Sequence, residues 1–348
     1  MKEQLSQTGL GDAEKCSCIN PRGTPIMPGM TRYGYQPVDS ANIRSRSIKS
    51  RATKVGVEQF GKVHKKGSGL NGWMQSLPEI LAGSGFRRVV AALVSARSLK
   101  KPIIWGLGGH VIKCGLNPVL IDLMERGFVT ALAVNGASAI HDFEIALAGS
   151  TSEDVERELE TGDFGMSRET SEWMNDAIAQ GVSRGVGLGE AIGCYLGENS
   201  TRFPFVDVSL LATAFRRNIP VTVHVAVGTD TIHVHPSADG SLLGKGSLQD
   251  FRLLTAVIRD LNDGGVYLNC GSAVILPEVF LKAISLVRNL GSPLGQFTTV
   301  NLDFLQHYRP HHNVVTRPTR SSGQGIELTG HHELMIPLLA AALIESES

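Results

Sequence analysis

The stretch IIWGLGGHVIKCGLNPVLIDLMERGFVTALAVNGASAIHDFEIALAG, residues 103–149, contains two strand-to-helix turns in succession. In the first, the apolar run Pro102 to Trp105 ends in Gly106-Leu107-Gly108-Gly109, after which Val111, Ile112, Leu116, Val119, Leu120 and Leu123 recur at helical spacing. In the second, Val129 to Val134 ends in Asn135-Gly136-Ala137-Ser138, followed by Ile140, Phe143, Ile145 and Leu147. This alternation is the unit that builds a parallel sheet. Its turns fall at the carboxyl ends of the strands, where backbone N–H groups at a helix start receive anions or a dinucleotide phosphate.

Working outward, the same unit recurs. Ile219-Pro220-Val221 leads to the turn at Ser237 to Ser247 and a helix over Leu248 to Leu261. Gly265 to Asn269 leads to Cys270-Gly271-Ser272 and another helix, and Gln296 to Asn301 reads as the next strand. Four repeats predict a doubly wound, mostly parallel α/β sheet with helices on both faces, one domain over residues 67–348. The polar stretch after Gly149, TSEDVERELETGDFGMSRETSEW, reads as surface helices, and the run VTVHVAVGTDTIHVHP as two short alternating strands with His233 and His235 on one face. Residues 1–66 form a basic, largely irregular arm, with 12 Lys+Arg against 5 Asp+Glu, while the whole chain is formally neutral. Charges so dispersed, without interleaved aromatic residues, argue against a nucleic-acid partner. No apolar run reaches the length of a membrane span and the first residues carry no apolar leader, so the expected compartment is the cytoplasm. Of five cysteines, Cys16 and Cys18 alone are close, which is weak evidence for metal, and Cys114, Cys194 and Cys270 read as reduced packing residues.

Two further signals concern chemistry. Eight of the eleven histidines fall after residue 223, and Glu333 stands beside His331 and His332, yet no metal-binding spacing is present, so no metal ligand is assigned. The segment HYRPHHNVVTRPTRSSGQG places Arg309, His311, His312, Arg317 and Arg320 in a loop suited to negative charge. Gly106, Gly108, Gly109, Asn135, Gly136, Ala137 and Asp142 are the candidate cofactor residues of the opening stretch, and Asp239 the candidate carboxylate of a later turn.

The order of these motifs resembles the deoxyhypusine synthase family over most of Pro102 to Glu345. The resemblance implies a Rossmann-like NAD-binding fold, a homotetramer, and cofactor contacts at the two opening turns, at Asp239, for whose place Gly228-Thr229-Asp230 competes, at Gly271 and Ser272, and at Thr298, Thr299 and Asp303. The family's catalytic lysine, a few residues after an Arg-Pro-Asp-Glu stretch, corresponds here to Pro318, and the carboxylate that binds the polyamine to His312. Histidines and Arg317 in place of carboxylates should repel a polyamine and attract an anion. The reading is therefore an NAD-dependent transferase or oxidoreductase on a small anionic substrate, with His312, His311 or His141 as acid or base and Arg317 or Arg309 as charge clamp. The alternatives are an inactive binding or scaffold protein of the same fold, a metal-dependent enzyme using the C-terminal histidines, and a true deoxyhypusine or homospermidine synthase with a replacement lysine such as Lys245.

Overall fold

The computed structural model describes residues 19, 22–26 and 35–347; Cys16 and Cys18 lie outside them. The chain divides into two units, Met1–Lys54 and Val55–Ser348. In the first, Ile19 and Pro25 form an isolated antiparallel bridge and Ile48–Ser50 a single 3-10 turn. The second holds the sheet.

Six strands, β1 (Ile103–Leu107), β2 (Ala131–Asn135), β3 (Val221–His224), β4 (Val266–Cys270), β5 (Thr298–Asp303) and β6 (Gln324–Thr329), form one sheet in the order β3-β2-β1-β4-β5-β6. Every pairing is parallel. The sheet is thus doubly wound and Rossmann-like, and the strand order reverses between β1 and β4. That reversal opens a crevice at the carboxyl edge.

The helices follow in chain order: α1 (Gly69–Ser76), α2 (Leu81–Ser98), α3 (Gly109–Lys113), α4 (Asn117–Glu125), α5 (Gly136–Ala148), α6 (Val155–Thr161), α7 (Arg168–Ser183), α8 (Leu188–Glu198), α9 (Leu210–Arg216), α10 (Gly240–Arg259), α11 (Ile275–Asn289), α12 (Tyr308–Pro310) and α13 (His332–Glu345). Side chains on a strand alternate between faces, and the core divides accordingly. Ile103, Trp105 and Leu107 pack with α2, α4, α5 and α13, whereas Ile104, Ala131 and Tyr267 pack with α10 and α11. All five residues of β1 are buried, as a central parallel strand requires. Trp105 satisfies its indole by donating to the Phe128 carbonyl at 2.9 Å. Among the described residues no helix is long and apolar enough to cross a membrane.

Two expectations change in detail. The acidic stretch after Gly149 does form helices, but only α6 is without buried residues; α7 buries Met174, Ala177, Ile178 and Val182. Of the two alternating runs after Pro220, only Val221–His224 is a strand, while Thr231–Val234 is a 3-10 turn. The His233 imidazole closes that turn, its Nδ1 accepting from the N–H groups of Gly228 (3.2 Å) and Asp230 (3.3 Å). The ring substitutes for strand pairing that the segment, leaving the sheet, cannot find.

Candidate functional site

The sequence-derived candidates separate into four groups in space. Gly106 lies inside β1, where a Cβ would come within 2.7 Å of the Tyr267 hydroxyl. Gly108, Gly109 and Gly136 sit at the carboxyl edge, each against the protein's own atoms. A Cβ at Gly108 would stand 2.1 Å from the Gly271 carbonyl oxygen, and one at Gly109 would stand 3.2 Å from Ala137 Cβ; at Gly136 it would meet the Asp230 carboxylate at 2.0 Å. The β1 and β4 turns are also joined directly, Gly108 N–H donating to the Cys270 carbonyl at 2.8 Å. These glycines therefore make room for chain-to-chain contact rather than leaving an open phosphate cradle.

Asn135 and Asp142 are occupied within the fold. Asn135 caps α5, its Oδ1 accepting from Ser138 N–H at 2.9 Å. Asp142 is fully buried. Its two oxygens accept from Asn117 Nδ2 (2.8 Å), Ser209 Oγ (2.6 Å), Leu210 N–H (2.8 Å) and Leu211 N–H (3.0 Å), so it fastens the start of α9 to α5. Burial pushes its carboxyl up and those four donors pull it back. A carboxylate so enclosed has no face for the cofactor contact expected of it.

On the other side of the crevice, Gly271, Ser272 and Asp303 are brought to the edge, but Thr298 and Thr299 are not. They begin β5, and Asp303 ends it five residues later, about 17 Å away along the strand. Thr299 Oγ1 is buried there without a partner. Ser272 Oγ accepts from Leu276 N–H at 3.2 Å. Asp303 is almost wholly buried, accepts from Phe304 N–H at 2.8 Å, and has His332 Nε2 at 4.0 Å. Asp239 is exposed and caps α10 through Ser241 and Leu242, contacts that hold its carboxyl below the usual range, with the Ser241 side chain foremost.

The fourth group, expected to be a loop, is α12 followed by a π-helical turn, His311–Thr316. Two of its basic side chains stand against carboxylates. Arg309 Nε lies 3.2 Å from Glu278, and His311 Nδ1 lies 2.5 Å from Glu327. His312 packs edge-on against the Tyr308 ring at 4.4 Å. Among the described residues the Arg317 guanidinium meets neutral groups, Asn313 Oδ1 at 2.6 Å and the Tyr308 hydroxyl at 3.5 Å. His141 belongs elsewhere, since it follows β2 while His311 and His312 follow β5. Three strand spacings, about 14 Å, separate those strands.

His141 does line a cavity of about 190 Å³ beyond the ends of β1, β2 and β3, together with Lys113, Ala137, Glu144, Asp230 and Thr231. The Thr151 hydroxyl donates its single proton to Glu144, and His141 Nδ1 lies 2.7 Å from the same oxygen. In the neutral ring that makes Nδ1 the donor and leaves the lone pair on Nε2. Although burial acts to raise it, Glu144 is held below the usual carboxylate range by His141 and Thr151, and is ionised at neutral pH. Opposite, burial pushes the Asp230 carboxyl up and His233 opposes the shift. Because His233 Nδ1 accepts two N–H groups, its Nε2 carries the proton in the neutral ring. Nε2 stands 3.8 Å from Asp230 Oδ2, too far to bond, and both atoms are buried without a partner. A base with a free lone pair and a carboxyl biased toward its protonated form thus border one cavity.

Glu144, Asp230 and Lys113 are absent from the sequence-derived set. Gly228-Thr229-Asp230 competes with Asp239-Gly240-Ser241 for the same aspartate motif, and that ambiguity is the signal that pointed to Asp230. Glu144 is three residues beyond His141 and so on the same helical face, but its value depends on Thr151, which no periodicity connects to it.

No family model matches the chain, and no curated protein does. Similar solved structures include the apo form of ArgZ, an arginine dihydrolase from the ornithine–ammonia cycle in cyanobacteria, at 18% identity and TM-score 0.48, covering 77% of this chain and 33% of that one. A ternary complex of AgrE with ornithine and NAD+ is similar at 15% identity and TM-score 0.49, covering 75% and 33%. A provisionally assigned deoxyhypusine synthase from Entamoeba histolytica is similar at 12% identity and TM-score 0.47, covering 82% and 96%. The chain spans about a third of the length of the first two. A deoxyhypusine synthase structure, the family that the order of motifs resembles, is thus among the similar ones. At these identities the likeness carries neither substrates nor residue roles across.

Proposed function

We propose that the protein is an NAD-dependent enzyme acting on a small anionic substrate at the carboxyl edge of the sheet, rather than one that forms deoxyhypusine. The observation that carries this reading is the cavity past the carboxyl ends of β1, β2 and β3, which His141 lines together with Asp230. The fit to NAD is to one end of the molecule. A cavity of about 190 Å³ accepts a single ring and Lys113 offers a cation to a phosphate, while the helix starts at Gly108 and Gly136 are filled by Gly271 and Asp230. NAD, when bound, supplies a hydride acceptor. His141 then takes a proton at Nε2, oriented by Thr151 and Glu144, and Asp230 gives or holds one. Arg317 and His312, displaced along the edge by about 14 Å, would meet the distal, anionic part of a ligand of dinucleotide length. Pro318, at the position of the family's lysine, is buried and its carbonyl accepts from Arg288 at 2.9 Å, which supports a chemistry without a Schiff base.

The test is thermal denaturation with NAD at millimolar concentration, for the natural chain and for Ala137→Leu, which fills the cavity without changing charge. NAD should raise Tm of the natural chain by several degrees, and the variant should keep its fold by circular dichroism and lose the rise. No rise in the natural chain, or an equal rise in both, overturns the reading. The homotetramer that accompanies it is checked by light scattering.

A further inference from the structure

We propose that His110, Cys114 and Glu333 form a zinc site on the carboxyl edge, an inference that stands apart from the cofactor reading above. His110 and Cys114 lie four residues apart at α3, hence on one face, and Glu333 enters from the first turn of α13, more than two hundred residues later. His110 Nε2 is 3.3 Å from Cys114 Sγ, and Sγ is 3.6 Å from Glu333 Oε2. All three donor atoms lie within 4.8 Å of one another. Zinc in tetrahedral geometry, with nitrogen or oxygen at about 2.0–2.1 Å and sulfur at about 2.3 Å, needs ligand atoms separated by about 3.3–3.6 Å. Two of the three separations already meet that requirement, and Glu333, being exposed, is free to close the third.

The donor set selects the metal. A thiolate with an imidazole suits a borderline-soft cation and is poor for magnesium or calcium, which take oxygen ligands. Three protein donors leave a fourth position for water, the arrangement of reactive rather than purely structural zinc. The imidazole is held in place by packing: its ring meets His332 edge-on at 5.6 Å and Phe304 at 6.1 Å. His332 is itself sealed in the core, with Nε2 on the Leu302 carbonyl at 3.2 Å. The Cys114 thiol now donates to Glu333. Zinc takes the thiolate, so the S–H bond breaks, a Zn–S bond forms, and one proton passes to solvent for each metal bound.

The experiment uses the full chain, stripped with EDTA and dialysed, titrated with zinc against a chromophoric chelator and separately with cobalt(II) as a spectroscopic substitute. The expected result is one metal per chain, with a thiolate-to-cobalt charge-transfer band in the near ultraviolet. Cys114→Ser should abolish that band, and His110→Ala and Glu333→Gln should each weaken zinc binding by at least about tenfold, an effect on the scale of losing a tuned ligand contact. His331→Ala should leave binding unchanged. The substituted side chains are exposed or half-buried, and unchanged circular dichroism confirms the variants' fold. No zinc bound by the natural chain, or equal binding by Cys114→Ser, overturns the site. Neither titration contains NAD, so failure here is separate from failure of the cofactor reading.

Discussion

On the β2–β3 side of the sheet two buried carboxylates, Asp142 and Asp250, act as fasteners; on the β4–β6 side two less buried ones, Glu327 and Glu333, stand beside histidines. Asp142 gathers four donors and Asp250 gathers two, Gly189 N–H at 3.0 Å and Val223 N–H at 2.8 Å. Across the sheet, His311 meets Glu327, and His331 and Glu333 flank the sealed His332. The difference teaches that a carboxylate's neighbours, more than its place in a motif, decide its role. Where backbone N–H groups converge on it, it organises a helix start; at Asp230, whose Oδ2 is buried without a partner, no such commitment is made.

The largest effect expected from this contrast is at Asp142. In Asp142→Asn one carboxylate oxygen becomes an NH2 that faces at least one backbone N–H, so at least one of the four bonds is lost inside the core and stability should fall by about 2–4 kcal/mol, read from urea denaturation. A loss under about 1 kcal/mol would break the distinction between fastener and site residue.

Asp250 sharpens the comparison, because both of its donors reach the same oxygen, Oδ2, while Oδ1 is buried without a partner. Burial pushes its carboxyl up to about 7. Between the unfolded carboxyl's value of about 3.9 and that of the folded chain, the folded state holds a proton that the unfolded state lacks. Its contribution therefore makes stability fall as pH rises from about 4 to about 7 and level off above. Asp250→Asn keeps both bonds on its amide oxygen, so it should flatten that dependence and match or exceed the natural chain's stability at pH 8. Denaturation at pH 5 and pH 8 checks this, and a loss above about 2 kcal/mol at pH 8 would count against it. The smallest effect is at the surface: Arg309→Ala, which opens an exposed pair with Glu278, should change stability by less than about 1 kcal/mol.

The architecture was legible because its cause is local and repeated. Apolar runs followed by small-residue turns and helical periodicity recur along the chain, and parallel strands buried on both faces require such runs. The candidate site was legible only in outline. His141 could be named as an acid or base from its turn, and the segment Tyr308 to Arg320 as cationic from its composition. The single strand after Pro220 was misread as two because alternation alone cannot reveal that His233 would bond its own backbone.

The sequence by itself determined the repeated strand, small-residue turn and helix that build the sheet from β1 to β5, while β6, the helical turn at Tyr308–Thr316 and the single strand after Pro220 were not legible in it. Only the tertiary structure decided which residues share a site. It placed Asp142 under α9 instead of at the edge, brought Asp230 to Gly136 across ninety-odd residues, and set Glu333 against Cys114. The reason is physical: periodicity records which face of an element is buried, while the partner that a polar side chain meets depends on how distant segments pack, and that information is not local.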